Sequence, residues 1–248
     1  MASAQAAEVQ VKVTVENVAP QNSISFAPLR LGFNNGTFDA FNIGQAATAP
    51  IISVAEGGSG ANWFPAFAAA DPTAVLGTVL ASSPPIQLLP GEMGSSTFTV
   101  DTAVNPYFTF AAMVVPSNDF FIGNDSPAQF RLFDNAGGLL INSISQHASN
   151  IWDAGSEVFD PAAAAFVGDN DLRTPQNSVV SFNFAELSGF NGLTTSAGYD
   201  FNSQLAGNTE VYRISFEVSP VPEPETYALM LTGLVMVGWM ARRRRAMI

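Results

Sequence analysis

A two-residue hydrophobic period, interrupted at short intervals by turn residues, constrains this chain more than any other feature. Val11, Val13 and Val15 fall on one face of Gln10–Val18, because successive side chains of a strand point to opposite sides. Leu29, Leu31 and Phe33 repeat the pattern, as do Phe98 and Val100 within Ser96–Thr102. Val180, Phe182 and Phe184 line another such segment, and Tyr212, Ile214, Phe216 and Val218 the last one. Pro106–Val115 is almost continuously apolar and predicts a buried central strand. Turn signals separate these runs at Asn34-Asn-Gly36, Pro90-Gly91, Asn135-Ala-Gly-Gly138 and Asn191-Gly192. Helical periodicity is weak, with one or two short helices expected around Ala46–Phe67, one of them Trp63–Ala70. Ala68–Pro85 and Ala154–Thr174 read as long loops, and long loops in compact domains often carry function. The pattern as a whole predicts an all-β fold, an antiparallel β-sandwich with long loops.

Composition supports a folded body and excludes several functions. Hydrophobic residues make up 47% of the 248 and charged residues only 12%, which is enough apolar surface for a sizeable core. The formal net charge is −12, and four of the nine basic residues are Arg242, Arg243, Arg244 and Arg245. The body therefore sets only Lys12, Arg30, Arg131, Arg173 and Arg213 against 19 of the 21 acids, Glu223 and Glu225 lying in the tail. Such a surface is repelled by phosphate backbones, so no nucleic-acid partner is expected. An acidic surface serves solubility, and it also suits divalent cations. With no Cys, disulfides, thiolate zinc sites and Cys nucleophiles are ruled out.

The two ends differ in kind from the body. Met1–Glu8 lacks an apolar stretch, but Ala2-Ser-Ala4 and Ala4-Gln-Ala6 are small-x-small patterns of the sort cut by signal peptidase, and the segment reads as a residual signal-peptide stub. At the other end Val221-Pro-Glu-Pro224 precedes the apolar run Tyr227–Met240, and the basic cluster Arg242, Arg243, Arg244 and Arg245 follows it. Pro222 and Pro224 stop any helix from running back into the body. The apolar run is short against the roughly 20 residues of a spanning helix. Thr226 and Ala241 extend it slightly, arginine stems can snorkel, and Tyr227 and Trp239 sit near its ends, where interfacial aromatics are expected. The four arginines hold their end in the cytoplasm, which places the body outside. This order of Pro-Glu-Pro, apolar segment and Arg cluster resembles the PEP-CTERM sorting signal of Gram-negative bacteria. The resemblance implies processing by an exosortase, a membrane-embedded cysteine transpeptidase, near Val221, Pro222, Glu223 and Pro224. It implies initial anchoring in the inner membrane through the C-terminal segment, and then an envelope, surface or exopolysaccharide-matrix location. The expected organisation is a stub over 1–8, a β-sandwich over 9–219 and a sorting tail with a short transmembrane helix over 220–248.

Two acidic stretches flank a turn-rich region and are the best site candidates. Asp119 follows the apolar strand, and Asp153 and Glu157 lie in Trp152-Asp-Ala-Gly-Ser-Glu157. Ca²⁺ takes six to eight oxygen ligands, which loop carboxylates and carbonyls can supply. From spacing alone, solvated loop acids are the favoured account. Val13-Thr-Val-Glu-Asn-Val18, Leu31-Gly-Phe33 with Phe38-Asp39, Pro116-Ser-Asn-Asp-Phe-Phe-Ile-Gly123 and Trp152–Glu157, in that order, resemble the spondin N-terminal domain. The resemblance implies a C2-like sandwich with a calcium site, whose ligands map by motif onto Asp119, Asp153 and Glu157. Animal members carry Asp at the last of these positions; Glu is one methylene longer.

Other motifs point elsewhere. Asp169-Asn-Asp171 lacks the glycine and terminal glutamate of an EF-hand loop. Asn124-Asp125 and Asp134-Asn135 suit turns. His147 is the sole histidine and reads as a loop residue, since no Gly-x-Ser-x-Gly elbow accompanies it. Lys12, the sole lysine, sits on an expected strand. No phosphate loop, dinucleotide fingerprint or zincin motif occurs. The expectation is a non-enzymatic, calcium-binding surface protein whose partners are exopolysaccharide or another surface protein. A secreted carbohydrate-binding module or polysaccharide hydrolase is the alternative.

Overall fold

A computed structural model describes residues 8–221. The expected stub up to Ala7 and the apolar segment Tyr227–Met240 lie outside the described residues. So do Pro222, Glu223 and Pro224 of the sorting motif and its four arginines, Arg242, Arg243, Arg244 and Arg245. The transmembrane helix expected over 220–248 falls on that same stretch. Among the described residues no helix is long and apolar enough to cross a membrane.

The body is mostly β. Its elements are β1 (Glu8–Asn17), β2 (Ser25–Phe26), β3 (Leu29–Asn34), α1 (Ala49–Gly57), α2 (Trp63–Ala70), β4 (Val75–Val79) and β5 (Met93–Asp101). They continue with β6 (Tyr107–Val115), β7 (Phe120–Gly123), β8 (Ser143–His147), β9 (Trp152–Asp153), β10 (Ser181–Phe182) and β11 (Glu210–Pro220). One sheet has the order β5-β1-β11-β8 and the other β10-β9-β7-β6-β3-β4, with β2 also pairing β6. The strand pairs are antiparallel.

The two sheets close on one core, as the alternation requires. Val11, Val13 and Val15 of β1 are at most 1% exposed and share a cluster with Leu29, Leu31, Phe33, Phe108 and Phe110 of the opposite sheet. Aromatic edges cross the interface: Phe108 meets Phe216 at 4.9 Å, Phe26 meets Tyr212 at 4.6 Å and Phe33 meets Phe98 at 5.7 Å between ring centroids. Edge-to-face contacts of this kind add to plain area burial.

The larger sheet is also covered on its outer face. There α1 and α2 pack Ile51, Val54, Trp63 and Phe67 with Phe41, Ala111, Phe121 and Trp152. This second layer explains the unbroken apolar run of β6: Phe108, Phe110, Ala112 and Val114 enter the inter-sheet core, while Ala111 faces the helices. A strand buried on both sides has no polar face to show. Gly32 of β3 permits the close approach of α2, since a Cβ there would lie 2.5 Å from the Phe67 ring. Helix α1 begins at Thr48, whose Oγ1 accepts from the Ile51 amide at 3.5 Å. It ends where Gly58 turns left-handed at φ 61° and its N–H bonds to the Val54 carbonyl at 2.7 Å.

Two expectations fail locally. The loop expected over Ala68–Pro85 contains β4, which pairs β3; its residues Val75, Leu76, Gly77 and Thr78 are all half-buried and so carry no alternating signal. The strand expected through Val180, Phe182 and Phe184 shrinks to Ser181–Phe182, because β9 offers only two residues to pair with. Val180 is buried and Phe182 is exposed, its ring lying flat on Trp152 at 3.7 Å, and Phe184 starts a 3₁₀ helix that runs to Phe190.

The end of β1 is tied to two other segments by a single buried side chain. Asn17 donates from Nδ2 to the carbonyls of Ile24 at 2.8 Å and Leu88 at 2.9 Å, and its Oδ1 accepts from the Ala19 amide at 3.0 Å. Asn17→Ala leaves three buried backbone groups without partners. Chemical denaturation should show a loss of about 2–4 kcal/mol; a loss below about 0.5 kcal/mol would show that water replaces the amide.

Candidate metal centre

The candidate acids belong to neighbouring segments at one end of the larger sheet. Pro116–Asp119 connects β6 to β7, and Ser117 braces that turn: its Oγ donates to the Val114 carbonyl at 2.6 Å and accepts from the Phe120 amide at 3.0 Å. Asn118 then clamps the loop that follows β9, accepting from the Asp160 amide at 3.0 Å and donating to its carbonyl at 3.1 Å. Asp119 is 2% exposed. Its Oδ2 accepts three hydrogen bonds, from Ser156 N at 2.6 Å, Ser156 Oγ at 3.1 Å and Glu157 N at 3.0 Å. The Asp119 side chain therefore sets the path of the segment that carries Glu157. Asp153 sits opposite Phe120 in the β7–β9 pairing. Its Oδ1 accepts from Gly155 N at 2.7 Å, over a turn in which Gly155 has φ +65°. A Cβ at Gly155 would also come within 2.8 Å of the Val179 carbonyl oxygen, so both conformation and space call for glycine.

Asp119, Asp153 and Glu157 line one cavity of about 350 Å³, together with Asn118, Gln176, Asn183 and Glu186. Glu157 is 5% exposed; its Oε1 lies 3.3 Å from Arg173 Nη1, and its Oε2 is buried with no hydrogen-bond partner among the described residues. A buried carboxylate oxygen without a donor is costly, and either a cation or a proton shared with the neighbouring Glu56 carboxyl answers that cost. The donor set of carboxylate and amide oxygens fits a hard divalent cation. Among the described residues, however, no three His, Cys, Asp or Glu side chains close tightly enough on one point to hold an ion. The acids are gathered around a shared space without converging at its centre.

Burial and mutual repulsion hold these groups in favour of their protonated forms. Burial raises Asp119 despite the hydrogen bonds it accepts. Asp153 is pushed up to about 6 by burial and then by the charge of Asp119. Glu157 is pushed up to about 7, chiefly by burial, with Arg173 opposing and Glu56 and Asp119 reinforcing the rise.

Glu56, Glu186 and Arg173 extend the site beyond the acids legible in the sequence. Glu56 ends α1 and Glu186 lies in the 3₁₀ helix after β10, so only tertiary packing brings them near. Arg173 carries one usable signal, as one of five basic residues in an acidic body. The remaining candidates build local structure. Asp169 caps a 3₁₀ turn by accepting from Asp171 N, Asp134 Oδ1 accepts from Ala136 N and Gly138 N, and Asn124 Oδ1 accepts from Phe110 N. His147 ends strand β8 instead of lying in a loop. Lys12, on β1 as expected, pairs with Glu217 at 3.3 Å on the surface.

Residues 220–245 match the family described as the PEP-CTERM protein-sorting motif. The match takes in the whole expected signal, from Val221, Pro222, Glu223 and Pro224 through to Arg242, Arg243, Arg244 and Arg245. No curated protein matches the chain. The motif marks an exosortase-targeted protein that is exported and sorted to the cell envelope of Gram-negative bacteria.

The raised carboxyl groups imply a pH dependence of known sign. A carboxyl that titrates higher in the folded than in the unfolded chain binds more protons when folded, so stability falls as pH rises between the two values. For Asp153 and Glu157 that window runs from the ordinary carboxylate range to about 6 and about 7 respectively. In chelator, the melting temperature should be higher at pH 5 than at pH 7.5; a flat or rising profile across that window would contradict the burial of these groups.

Proposed function

For an exported, exosortase-targeted chain we propose a calcium-binding, non-enzymatic β-sandwich that acts as an interaction or structural protein at the cell surface or in its exopolysaccharide matrix. The observation that carries this reading is the cavity shared by Asp119, Asp153 and Glu157, with the Glu157 Oε2 atom buried and unpartnered among the described residues. The spondin-like order of motifs supports the same three residues as ligands, and the 19 acids against five bases outside the tail suit a cation-rich exterior.

Calcium, when bound, supplies a fixed divalent charge and no reaction step. The chain's own residues do the rest. Asp119 is held by three donors on one oxygen, Asp153 is oriented by Gly155, and Glu157 lines the cavity with one carboxylate oxygen still without a donor among the described residues. An ion that joins these segments stabilises the folded loops by mass action, since the unfolded chain does not hold the site. A stiffened loop end then offers a defined surface to a glycan or a neighbouring surface protein.

Thermal unfolding tests the reading. At calcium about a hundredfold above its Kd, the chain should melt about 5–10 °C higher than in chelator. Asp119→Ala combined with Asp153→Ala should abolish that shift. An unchanged melting temperature in wild type, with no metal in the purified protein, removes calcium from the account. Turnover of polysaccharides by the purified chain would overturn the non-enzymatic assignment and favour a secreted hydrolase.

A further inference from the structure

The ion pair at the cavity wall is incomplete on both sides. Arg173 Nη1 reaches Glu157 Oε1 at 3.3 Å, and Nη2 donates to the Glu56 carbonyl at 2.9 Å. Glu157 Oε2 and Arg173 Nε are both buried without a hydrogen-bond partner among the described residues. A guanidinium and a carboxylate can form two parallel bonds of about 2.7–2.9 Å. Here there is one long contact, and each group keeps an unused buried atom. Removing two charges from water is repaid only when geometry is good and the remaining atoms are satisfied. This pair therefore leaves both groups short of partners.

The backbone keeps Arg173 in place even so. Glu157 and Pro175 form an antiparallel bridge, and the Val158 amide donates to the Thr174 carbonyl at 2.9 Å. The guanidinium is thus tethered beside Glu157 and competes intramolecularly for it. Asp119, Asp153 and Glu186 line the same cavity as Glu157, and of these carboxylates Arg173 pairs with Glu157. Nη2 bonds at the last turn of α1, where carbonyls lack helical partners, and this gives the side chain a second anchor.

We infer that Arg173 is an internal counter-ion occupying the role of a divalent cation at Glu157, and that a cation entering the cavity takes Glu157 from it. The inference rests on the calcium reading and adds the residue that sets its affinity. It accounts for carboxylates that surround a cavity without converging: Arg173 holds one of them to the side. It also implies a weak site, because each binding event must displace a tethered competitor. Weak sites suit an exported protein, since extracellular calcium modules work at roughly 10⁻⁴–10⁻³ M.

The test compares full-length wild type, Arg173→Gln and Arg173→Lys, purified in detergent, by calorimetric titration with CaCl₂ and by melting in calcium and in chelator. Arg173→Gln should bind calcium at least about tenfold tighter, as expected on removing a like charge within about 4–6 Å. It should also melt lower in chelator. Arg173→Lys keeps the charge and should stay within about threefold of wild type. Unchanged or weaker binding by folded Arg173→Gln, with wild type still responding to calcium, overturns the inference and leaves the calcium reading standing. No calcium binding by any of the three chains removes both. If Arg173→Gln is unfolded in chelator, refolding on addition of calcium supports the inference, and failure to refold overturns it.

Discussion

The ladder between the first and last strands is the constraint on which the body depends. Glu8–Asn17 and Glu210–Pro220 run antiparallel in continuous register from Val9 opposite Pro220 to Asn17 opposite Tyr212. Together they form the middle of the smaller sheet, with β5 on one side and β8 on the other. The ladder between these two inner strands forms only when the chain has closed on itself over nearly its whole length. Closing a long loop costs entropy that only the full hydrophobic interface repays. The ladder also brings the chain to the edge of its body at Val221, where the sorting motif takes over. Export signal and folded cargo therefore meet at a strand end, and Pro222 and Pro224 follow it in the sequence.

The candidate site lies away from that ladder, on the short strands β9 and β10 of the larger sheet and on the turn leading into β7. Short strands provide few ladder bonds, so side chains do the positioning. Asn118 and Asp119 grip the following loop through backbone amides, and Asp119 does so as a buried carboxylate. The same burial that orders the loop raises the acids toward neutrality. Order and charge are thus in tension at this end of the molecule.

Much of the fold is legible in the residues alone, and the misses share a cause. β1, β3, β5, β6 and β11 each pair over several residues with a core on one or both sides, so alternation or continuous apolarity survives in the sequence. Helix α2 is readable as Trp63–Ala70 because Ala and Phe dominate a stretch free of β-branched residues. β4 is hidden because none of its first four residues is fully buried. Phe184 misleads because apolar spacing cannot distinguish a strand from a 3₁₀ helix when the partner strand is only two residues long. His147 reads as a loop residue because polar Ser143, Ser145 and Gln146 mask the edge strand β8.

The sequence by itself determined the sorting tail, the antiparallel β character of the body and the identity of three candidate acids. Those properties reside in local order: a proline pair, an apolar run, a block of arginines, a period of two and short motifs. Tertiary structure alone decided that Asp119, Asp153 and Glu157 share a cavity with Glu186, and that Glu56 and Arg173 neighbour Glu157. It alone decided that the larger sheet is covered by helices on its outer face. The physical reason is that charge interactions and burial depend on distance through space, and residues such as Glu56 and Glu157 become neighbours only once both sheets and the helical layer have packed.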